Sequence, residues 1–331
     1  MGFLKNKMVF EKNLSSLKRL RISVNDKCSL NCLYCHRDGQ FTPRKEEMST
    51  QEIKKIGSEF LKYGVEEIKL AAMEPLLRKD TPEILGYFKE IGVNKTSITT
   101  NGILLKHYLN SLERANIDEV SVSLDTLNLD IFNYINQGNS RDFDRTLEGL
   151  EALSKSPIPE KNINMTITKS NIKELEAMVL FSKKNNFDLR VIPLISLQNQ
   201  RSSIQPSSSD LKEITNYLDT LEKITSDNPT RIAYTEYSCG EIKITLIDSL
   251  CPDCDSCGRD YALRLTSDGK LKPCLISEIG EIDILTPYRK KNIIEFNKKI
   301  QSAIRFKKKG LMKNFNPSGI SFEKGFISPE E

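Results

Sequence analysis

Cysteine is the residue type with the greatest chemical potential in this chain of 331 residues. Seven of the eight cysteines fall in two groups, the first with C-x3-C-x2-C spacing and the second with overlapping C-x2-C pairs and one later cysteine. The groups are Cys28, Cys32 and Cys35, then Cys251, Cys254, Cys257 and Cys274. In a long chain without a recognisable secretion signal, we expect reduced thiols, which favours metal or redox chemistry over disulfides.

The first group can supply one metal site from a single loop. A tetrahedral zinc site needs a fourth ligand, and His36 directly follows the third cysteine. A four-iron cluster held by only three cysteines has one iron without a protein ligand, where a small molecule can chelate. The residues alone leave both alternatives open.

The second group predicts a second metal site. Asp268-Gly269 is typical of a tight hairpin turn, and such a hairpin would return Cys274 to the C-x2-C loop. Zinc and iron–sulfur clusters both take thiolate ligands, so the spacing favours neither.

The positions of these loops depend on the elements around them. Apolar periodicity between residues 19 and 260 predicts strands that alternate with helices, and therefore a parallel α/β sheet. The predicted strands are Leu20–Val24, Glu67–Ala71, Thr96–Thr100, Glu119–Leu124, Ile163–Thr168 and Leu189–Ile195. The predicted helices are Ser49–Tyr63, Pro82–Ile91, Leu104–Ala115, Leu129–Ile135, Phe143–Leu153 and Ile172–Asn185. Periodicity does not distinguish an open doubly wound sheet from an incomplete barrel, but both place chemistry at the carboxyl ends of the strands.

Beyond the sixth strand the pattern changes. Gln198–Asp210 reads as a surface connection, and Leu211–Ile224 as a helix. We predict a boundary near residue 235, with a core at 1–235 and a smaller cysteine-rich subdomain at 236–331.

Polar residues stand at or near the ends of the predicted strands, where ligands bind in such folds. Each is a weak signal alone, because turns and helix caps use the same residue types. They are Glu74, Thr100, Asn101, Ser123, Asn164 and Arg190.

Composition excludes several function classes. The net charge is +4, from 49 basic and 45 acidic residues, without the basic stripe of a nucleic-acid-binding protein. The one dense basic run, Lys307 to Lys309, reads as a solvated face near a helix end. Two histidines are too few for a histidine-rich metal site. No apolar run approaches the length of a membrane span, so we expect a cytoplasmic protein.

The first group, with Tyr34 directly before its third cysteine, resembles the radical S-adenosylmethionine (SAM) superfamily. The resemblance implies an incomplete (βα)6 barrel, a 4Fe–4S cluster on Cys28, Cys32 and Cys35, and SAM chelated at the open iron. Reductive cleavage of SAM then gives a 5′-deoxyadenosyl radical. It further implies that Glu74 faces the SAM amino group, and that other residues line the cofactor. These are Tyr34, Thr100, Asn101, Ser123, Asn164 and Arg190.

Several segments resemble the GTP 3′,8-cyclase family of molybdopterin biosynthesis, over roughly residues 18–276. They are Leu20–Cys28, Cys35–Gly39, Glu74–Arg78, Thr100–Leu105, Ser123–Leu127 and Arg264–Leu275. The resemblance implies a second 4Fe–4S cluster on Cys254, Cys257 and Cys274, with Cys251 as a further candidate. It also implies that Arg21, Arg259 and Arg264 point into the cavity between the clusters.

The same resemblance implies the partners. We expect an anionic nucleotide such as GTP as substrate, an electron donor of the flavodoxin or ferredoxin type, and no nucleic acid or membrane partner; a homodimer is allowed. The other hypotheses are a related two-cluster radical SAM enzyme acting on another nucleotide, nucleoside, peptide or small molecule, and a non-catalytic zinc protein.

The chain departs from the family at identifiable positions. Ala72 and Met73 replace two glycines before Glu74. Glu67 and Asn162 stand where the family has basic residues, which predicts that a triphosphate is held less firmly.

Overall fold

The computed structural model describes residues 17–37, 46–194, 203–224, 234–247, 262–273 and 280–308. All four cysteines of the second group, together with Arg259, lie outside the described residues. The predictions made for them therefore stay predictions.

The described strands form one sheet of twelve. Their bounds are Arg19–Ile22 (β1), Glu67–Leu70 (β2), Lys95–Thr100 (β3), Glu119–Ser123 (β4), Glu160–Ile167 (β5), Asp188–Pro193 (β6), Glu222–Ile224 (β7), Tyr234–Cys239 (β8), Ile242–Ile247 (β9), Ala262–Leu265 (β10), Lys270–Lys272 (β11) and Ile282–Asp283 (β12).

The order of the strands is β12-β11-β10-β1-β2-β3-β4-β5-β6-β9-β8-β7. Strands β1 to β6 are parallel and lie side by side in chain order, without the reversal of a doubly wound sheet. Strands β10 and β9 extend this parallel block at its two edges, and the outermost strands pair antiparallel. The predicted α/β class with a parallel sheet is confirmed.

Helices connect and cover these strands. Their bounds are Thr50–Glu59 (α1), Thr81–Glu90 (α2), Leu105–Arg114 (α3), Leu129–Asn136 (α4), Ser140–Ser154 (α5), Leu175–Asn185 (α6), Ser208–Leu218 (α7), Leu285–Arg289 (α8) and Ile293–Lys308 (α9). Helix α1 begins at a capping box formed by Ser49 and Glu52. None of the described helices combines the length and apolarity that crossing a membrane requires.

Strand alternation separates an apolar face from a polar one. In β1, Leu20 and Ile22 are buried, whereas Arg19 and Arg21 point to the other face. The apolar face packs against the helices so closely that a Cβ atom on Gly57 of α1 would lie 2.5 Å from the Phe88 ring. The polar face carries the charged and amide side chains, and it is the face on which a ligand would meet them.

The six predicted strands and the helices between them are present, with ends shifted by up to four residues. The hairpin is also present, because β10 pairs antiparallel with β11 and Gly269 has a φ of +73°.

Two predictions about the later chain are wrong. The predicted helix Leu211–Ile224 begins instead at Ser208, because Ser207 and Asp210 form a capping box, and it ends at Leu218. The last three residues of the predicted helix form strand β7 instead, and this strand pairs antiparallel with β8. The basic run does lie at a helix end, but Lys307 is only 4% exposed and so belongs to no solvated face.

Candidate active site

The loop after β1 carries the first cysteine group, and each of its three sulfurs accepts an N–H hydrogen bond. The pairs are Asn101 Nδ2 with Cys28 Sγ at 3.9 Å, Asn136 Nδ2 with Cys32 Sγ at 3.4 Å, and Arg37 N with Cys35 Sγ at 3.3 Å. Hydrogen bonds to the ligating sulfurs are a recurrent feature of iron–sulfur sites, where they tune the reduction potential. The donor set therefore fits a cluster held by these cysteines.

Local desolvation shapes the chemistry of two of these thiols, although the Cys28 residue is exposed and Cys32 is only half-buried. Desolvation, together with the nearby Asp125 carboxyl, raises the pKa of Cys32 to about 12, and desolvation also raises the pKa of Cys28. A bound cationic centre would have to draw the proton off such a thiol. Among the described residues, no three His, Cys, Asp or Glu side chains gather around a single metal ion. A four-iron cluster binds each cysteine through a separate iron, so its sulfurs need not meet at one point.

Asp125, two residues after the end of β4, links the cysteine loop to the sheet. It is 1% exposed, and its carboxylate accepts from Tyr34 Oη at 2.6 Å, Asn136 Nδ2 at 2.9 Å and Thr166 N at 2.7 Å. Burial raises the pKa of both Asp125 and Tyr34. Tyr34, predicted as a cofactor residue, is thereby fixed through its hydroxyl.

Glu74, at the end of the loop after β2, is 0% exposed and has its carboxylate directed into the protein. Oε1 accepts from Thr100 Oγ1 at 2.8 Å and Leu76 N at 3.0 Å, while Oε2 accepts from Asn101 N at 2.7 Å. Its backbone carbonyl accepts from Asn25 Nδ2 at 2.9 Å, just before the cysteines. Glu74 thus joins the loops after β1, β2 and β3, and burial raises its pKa to about 7.

Ala72 and Met73 both adopt positive φ, at 73° and 51°. Left-handed backbone is normally a glycine conformation, because a Cβ atom crowds the following carbonyl. The loop therefore keeps the backbone shape that suits the glycines of the family, although neither residue is glycine.

Three predicted residues come together as neighbours on adjacent strands. Ser123 of β4 pairs in register with Asn164 of β5, and Asn164 pairs with Arg190 of β6. The Asn164 Oδ1 atom is buried and has no hydrogen-bond partner among the described residues. This row offers a hydroxyl, an amide and a guanidinium on the polar face of the sheet.

A second polar layer lies toward the amino-terminal ends of the strands. Glu119 of β4 lies 3.1 Å from Lys69 Nζ, 2.8 Å from Lys95 Nζ and 3.0 Å from Arg190 Nη1. These cations hold the pKa of Glu119 well below its usual range despite its burial. Arg190 therefore belongs to this ion-pair network as well as to the row above.

The predicted substrate arginines are only partly described. Arg21 of β1 pairs in register with Arg264 of β10 on one side and with Lys69 of β2 on the other. The two arginines are therefore neighbours on adjacent strands, and their predicted place in a cavity between two clusters stays a prediction.

Asp125, Asn136 and Glu119 were not predicted as site residues. A signal existed for Glu119, because Glu119, Ser121 and Ser123 alternate with apolar residues and so mark a polar strand face. No sequence pattern links Asn136 to Cys32, because their contact spans 104 residues.

The sequence profile of the radical SAM superfamily matches residues 22–181. This span contains the cysteine loop, the Glu74 loop and the row on β4 and β5. A probable GTP 3′,8-cyclase from Methanocaldococcus jannaschii is 32% identical over 283 residues, covering 84% of this chain and 92% of that protein. The chain belongs to the radical SAM superfamily.

The GTP 3′,8-cyclase from Peptoclostridium acidaminophilum is similar at 35% identity, covering 82% of this chain and 84% of that protein. Relatives of this kind make the chain a radical SAM enzyme of the cyclase type. Members of the superfamily bind SAM and a 4Fe–4S cluster.

Solved structures of radical SAM enzymes share the fold. Streptococcus suis SuiB bound to SAM has a TM-score of 0.64 at 17% identity, covering 85% of this chain and 66% of SuiB, slightly under two thirds. The enzyme anSMEcpe with bound SAM has a TM-score of 0.59 at 16% identity. At these identities the likeness concerns the fold alone.

Proposed function

We propose that this enzyme is a GTP 3′,8-cyclase-like radical SAM enzyme that joins the ribose 3′ carbon to C8 of a guanine nucleotide, with GTP as the first candidate substrate. The observation that carries the proposal is the C-x3-C-x2-C loop, in which each of the three sulfurs accepts a hydrogen bond from an N–H group. The chain that contains this loop is related to GTP 3′,8-cyclases. A 4Fe–4S cluster and SAM, when bound there, supply a 5′-deoxyadenosyl radical.

The described residues divide into two roles in this proposal. Cys28, Cys32 and Cys35 hold the first cluster, and the loop fixed by Glu74 presents backbone to the SAM amino group. The resemblance implied that the Glu74 carboxylate itself faces the SAM amino group. Because this carboxylate is buried and already accepts three hydrogen bonds, we propose instead that it acts by shaping that loop. The remaining proposed cofactor residues are Tyr34, Thr100, Asn101, Ser123, Asn164 and Arg190.

The substrate side of the proposal uses the second cysteine group. Cys254, Cys257 and Cys274 hold a second cluster, with Cys251 as a further candidate ligand, and Arg21, Arg259 and Arg264 direct positive charge toward the substrate. The pairing of Arg21 with Arg264 on adjacent strands supports the proposed role of these two arginines. A flavodoxin- or ferredoxin-type protein supplies electrons.

The architecture proposed for this chemistry is an incomplete (βα)6 barrel at 1–235 followed by a cysteine-rich subdomain at 236–331. Support for the barrel comes from six parallel strands that are adjacent in chain order. In such a barrel the cysteine loop, the Glu74 loop and the ends of β3 and β4 meet at one rim.

Anaerobic reconstitution tests the proposal. The full chain, loaded with iron and sulfide, is incubated with SAM and dithionite, with and without GTP, and the products are identified by mass spectrometry. We expect 5′-deoxyadenosine in both reactions and a cyclised guanine nucleotide only with GTP. If 5′-deoxyadenosine forms but GTP is not converted, a related two-cluster enzyme with another substrate replaces the proposal. One zinc per site without sulfide would leave the non-catalytic zinc protein.

A further inference from the structure

One guanidinium group contacts both ends of the cysteine loop. The loop leaves β1 after Ile22 and enters α1 at Thr50. Arg78 Nη1 donates to the backbone carbonyl of Val24 at 2.9 Å and to the backbone carbonyl of Met48 at 2.8 Å. Val24 lies near the start of the loop and Met48 near its end, and each is 1% exposed. Arg78 therefore joins the two ends of the loop that carries the first cysteine group.

The other nitrogens of this guanidinium are fixed by a carboxylate. Arg78 Nε donates to Asp80 Oδ1 at 2.8 Å, and Arg78 Nη2 donates to Asp80 Oδ2 at 3.2 Å, which is the two-pronged geometry of an arginine–carboxylate pair. Thr50 donates its hydroxyl to the same carboxylate. Because the guanidinium is rigid and planar, binding one edge to Asp80 directs the remaining nitrogen at the two carbonyls.

The Glu74 loop carries this arginine. A short 3₁₀ turn at Pro75–Leu77 follows Glu74, and the Arg78 N–H ends this turn by donating to the carbonyl of its proline at 3.1 Å. Glu74 N donates to Lys27 O at 2.9 Å, immediately before the first cysteine. The Glu74 loop therefore contacts the cysteine loop beside its first cysteine, through its own backbone, and at both ends, through Arg78.

The contacts at its two ends decide how often such a loop opens. Holding a long loop in one shape costs conformational entropy, and local opening requires only that the contacts which close the loop are lost. Hydrogen bonds from a charged donor are strong, and their loss is most costly when the acceptor is buried. Removal of the Arg78 contacts should therefore open the cysteine loop while the core stays folded.

We propose that Arg78 is a positioning residue that holds the cysteine loop closed against the Glu74 loop, so that the cluster and the backbone that faces SAM keep one geometry. The inference rests on the proposed cluster at the first cysteine group and adds the side chain that keeps this group in place. A lysine at position 78 keeps the charge, but its single nitrogen does not replace the three guanidinium nitrogens that contact two carbonyls and a carboxylate.

The reactivity of Cys32 measures opening of the loop without any bound metal. The full chain is reduced, freed of metal and treated with iodoacetamide under anaerobic conditions, and alkylation is followed by peptide mass spectrometry. Cys32 is half-buried in the loop, and the half-buried Cys239 of β8 is the internal reference. Opening of the loop alone raises the rate at Cys32 relative to Cys239, whereas a general loss of stability raises both rates.

We expect Arg78→Lys to raise the ratio of the Cys32 rate to the Cys239 rate about 10-fold or more, the effect of losing one charge-assisted hydrogen bond. The matched control is Arg114→Lys, because Arg114 is exposed on α3 and donates to Ser111 of the same helix. The ratio for this control should stay within about 2-fold of the wild-type ratio.

A folded Arg78→Lys variant with the wild-type ratio overturns the inference, and so does a control whose ratio rises as much. If Arg78→Lys does not fold, Asp80→Asn decides, because it keeps Arg78 but removes the carboxylate that orients the guanidinium. We expect Asp80→Asn to raise the ratio about 3-fold or more, and an unchanged ratio overturns the inference.

Iron and sulfide analysis of the reconstituted chain separates this inference from the cluster on which it rests. If the wild type binds no more iron and sulfide than the variant with Cys28, Cys32 and Cys35 replaced by Ala, the cluster proposal fails, and the alkylation ratio still decides the role of Arg78. If the wild type binds the cluster and the ratio does not respond to Arg78→Lys, only the inference about Arg78 fails.

Discussion

The side-chain amide of Asn136 contacts the sulfur of Cys32 at an N–S distance of 3.4 Å, although the two residues are 104 positions apart. Asn136 is the last residue of α4, and the same amide nitrogen lies 2.9 Å from Asp125 Oδ2. Asp125 in turn accepts from the Tyr34 hydroxyl. The end of α4, the end of β4 and the cysteine loop are therefore one hydrogen-bonded unit, which fixes the surroundings of a cluster ligand.

Replacement of Asn136 by Ala should lower the reduction potential of the first cluster. A hydrogen bond to a ligating sulfur stabilises the reduced, more negative cluster, so its loss favours the oxidised form. The measurement is a redox titration followed by electron paramagnetic resonance. Removal of one partner from the buried Asp125 should also lower the free energy of unfolding by about 1–3 kcal/mol.

Asn133→Ala is the matched control for this change. Asn133 lies on the same helix, and its amide oxygen is buried without a hydrogen-bond partner among the described residues. Its loss should leave the potential unchanged. Equal potentials for the two variants would show that the contact between Asn136 and Cys32 does not act on the cluster.

Glu74 should give the protein a distinctive dependence of stability on pH. Burial raises its folded pKa from 4.5 to about 7, so between these values the folded carboxyl holds a proton that the unfolded carboxyl has released. The contribution of this proton to the free energy of unfolding is fully present below pH 4.5 and is lost as the pH rises toward 7. Relative to Glu74→Gln, whose amide does not titrate, the free energy of unfolding should fall by about 3 kcal/mol across this window.

Urea unfolding of both proteins at several pH values measures the difference, with the exposed Glu148→Gln as a control. If the difference in the free energy of unfolding between wild type and Glu74→Gln stays the same from pH 4.5 to 7, the raised pKa of Glu74 is contradicted.

The agreement between sequence and structure is best where a pattern is local. The alternating apolar positions of β1 to β6 and the capping box of α1 are visible in the sequence, and the structure contains them. The end of α7 at Leu218 was missed because β7 is stabilised by pairing with β8, a contact between distant residues. Local periodicity carries no information about such a partner.

In the candidate site, too, local motifs could be predicted from the sequence and contacts between distant residues could not. The cysteine spacing and the Glu74 loop are local motifs, so the sequence indicates both. The network around Glu119 is different, because its cations come from β2, β3 and β6 and meet only through strand register. The burial of Lys307 likewise depends on how α9 packs, which a run of three lysines does not reveal.

Ala72 offers a test of the strained loop. A residue other than glycine in the left-handed region costs roughly 1–2 kcal/mol, part of which is offset by the flexibility of glycine in the unfolded chain. We expect Ala72→Gly to raise the free energy of unfolding by about 0.5–1 kcal/mol, measured by urea denaturation. Ala152→Gly in the last turn of α5 is the control and should lower the free energy of unfolding by about 1 kcal/mol. Destabilisation by both changes would mean that Ala72 is not strained.

The central claim is that the loop after β1 holds the cluster on which SAM is cleaved. Its most direct test is the formation of 5′-deoxyadenosine, measured by mass spectrometry for the reconstituted wild type and for the variant with Cys28, Cys32 and Cys35 all replaced by Ala. Cys239, which packs against the core outside both cysteine groups, provides the control Cys239→Ala. We predict that the wild type and the control produce 5′-deoxyadenosine from SAM and dithionite, and that the triple variant produces none. SAM cleavage by the triple variant would contradict the account.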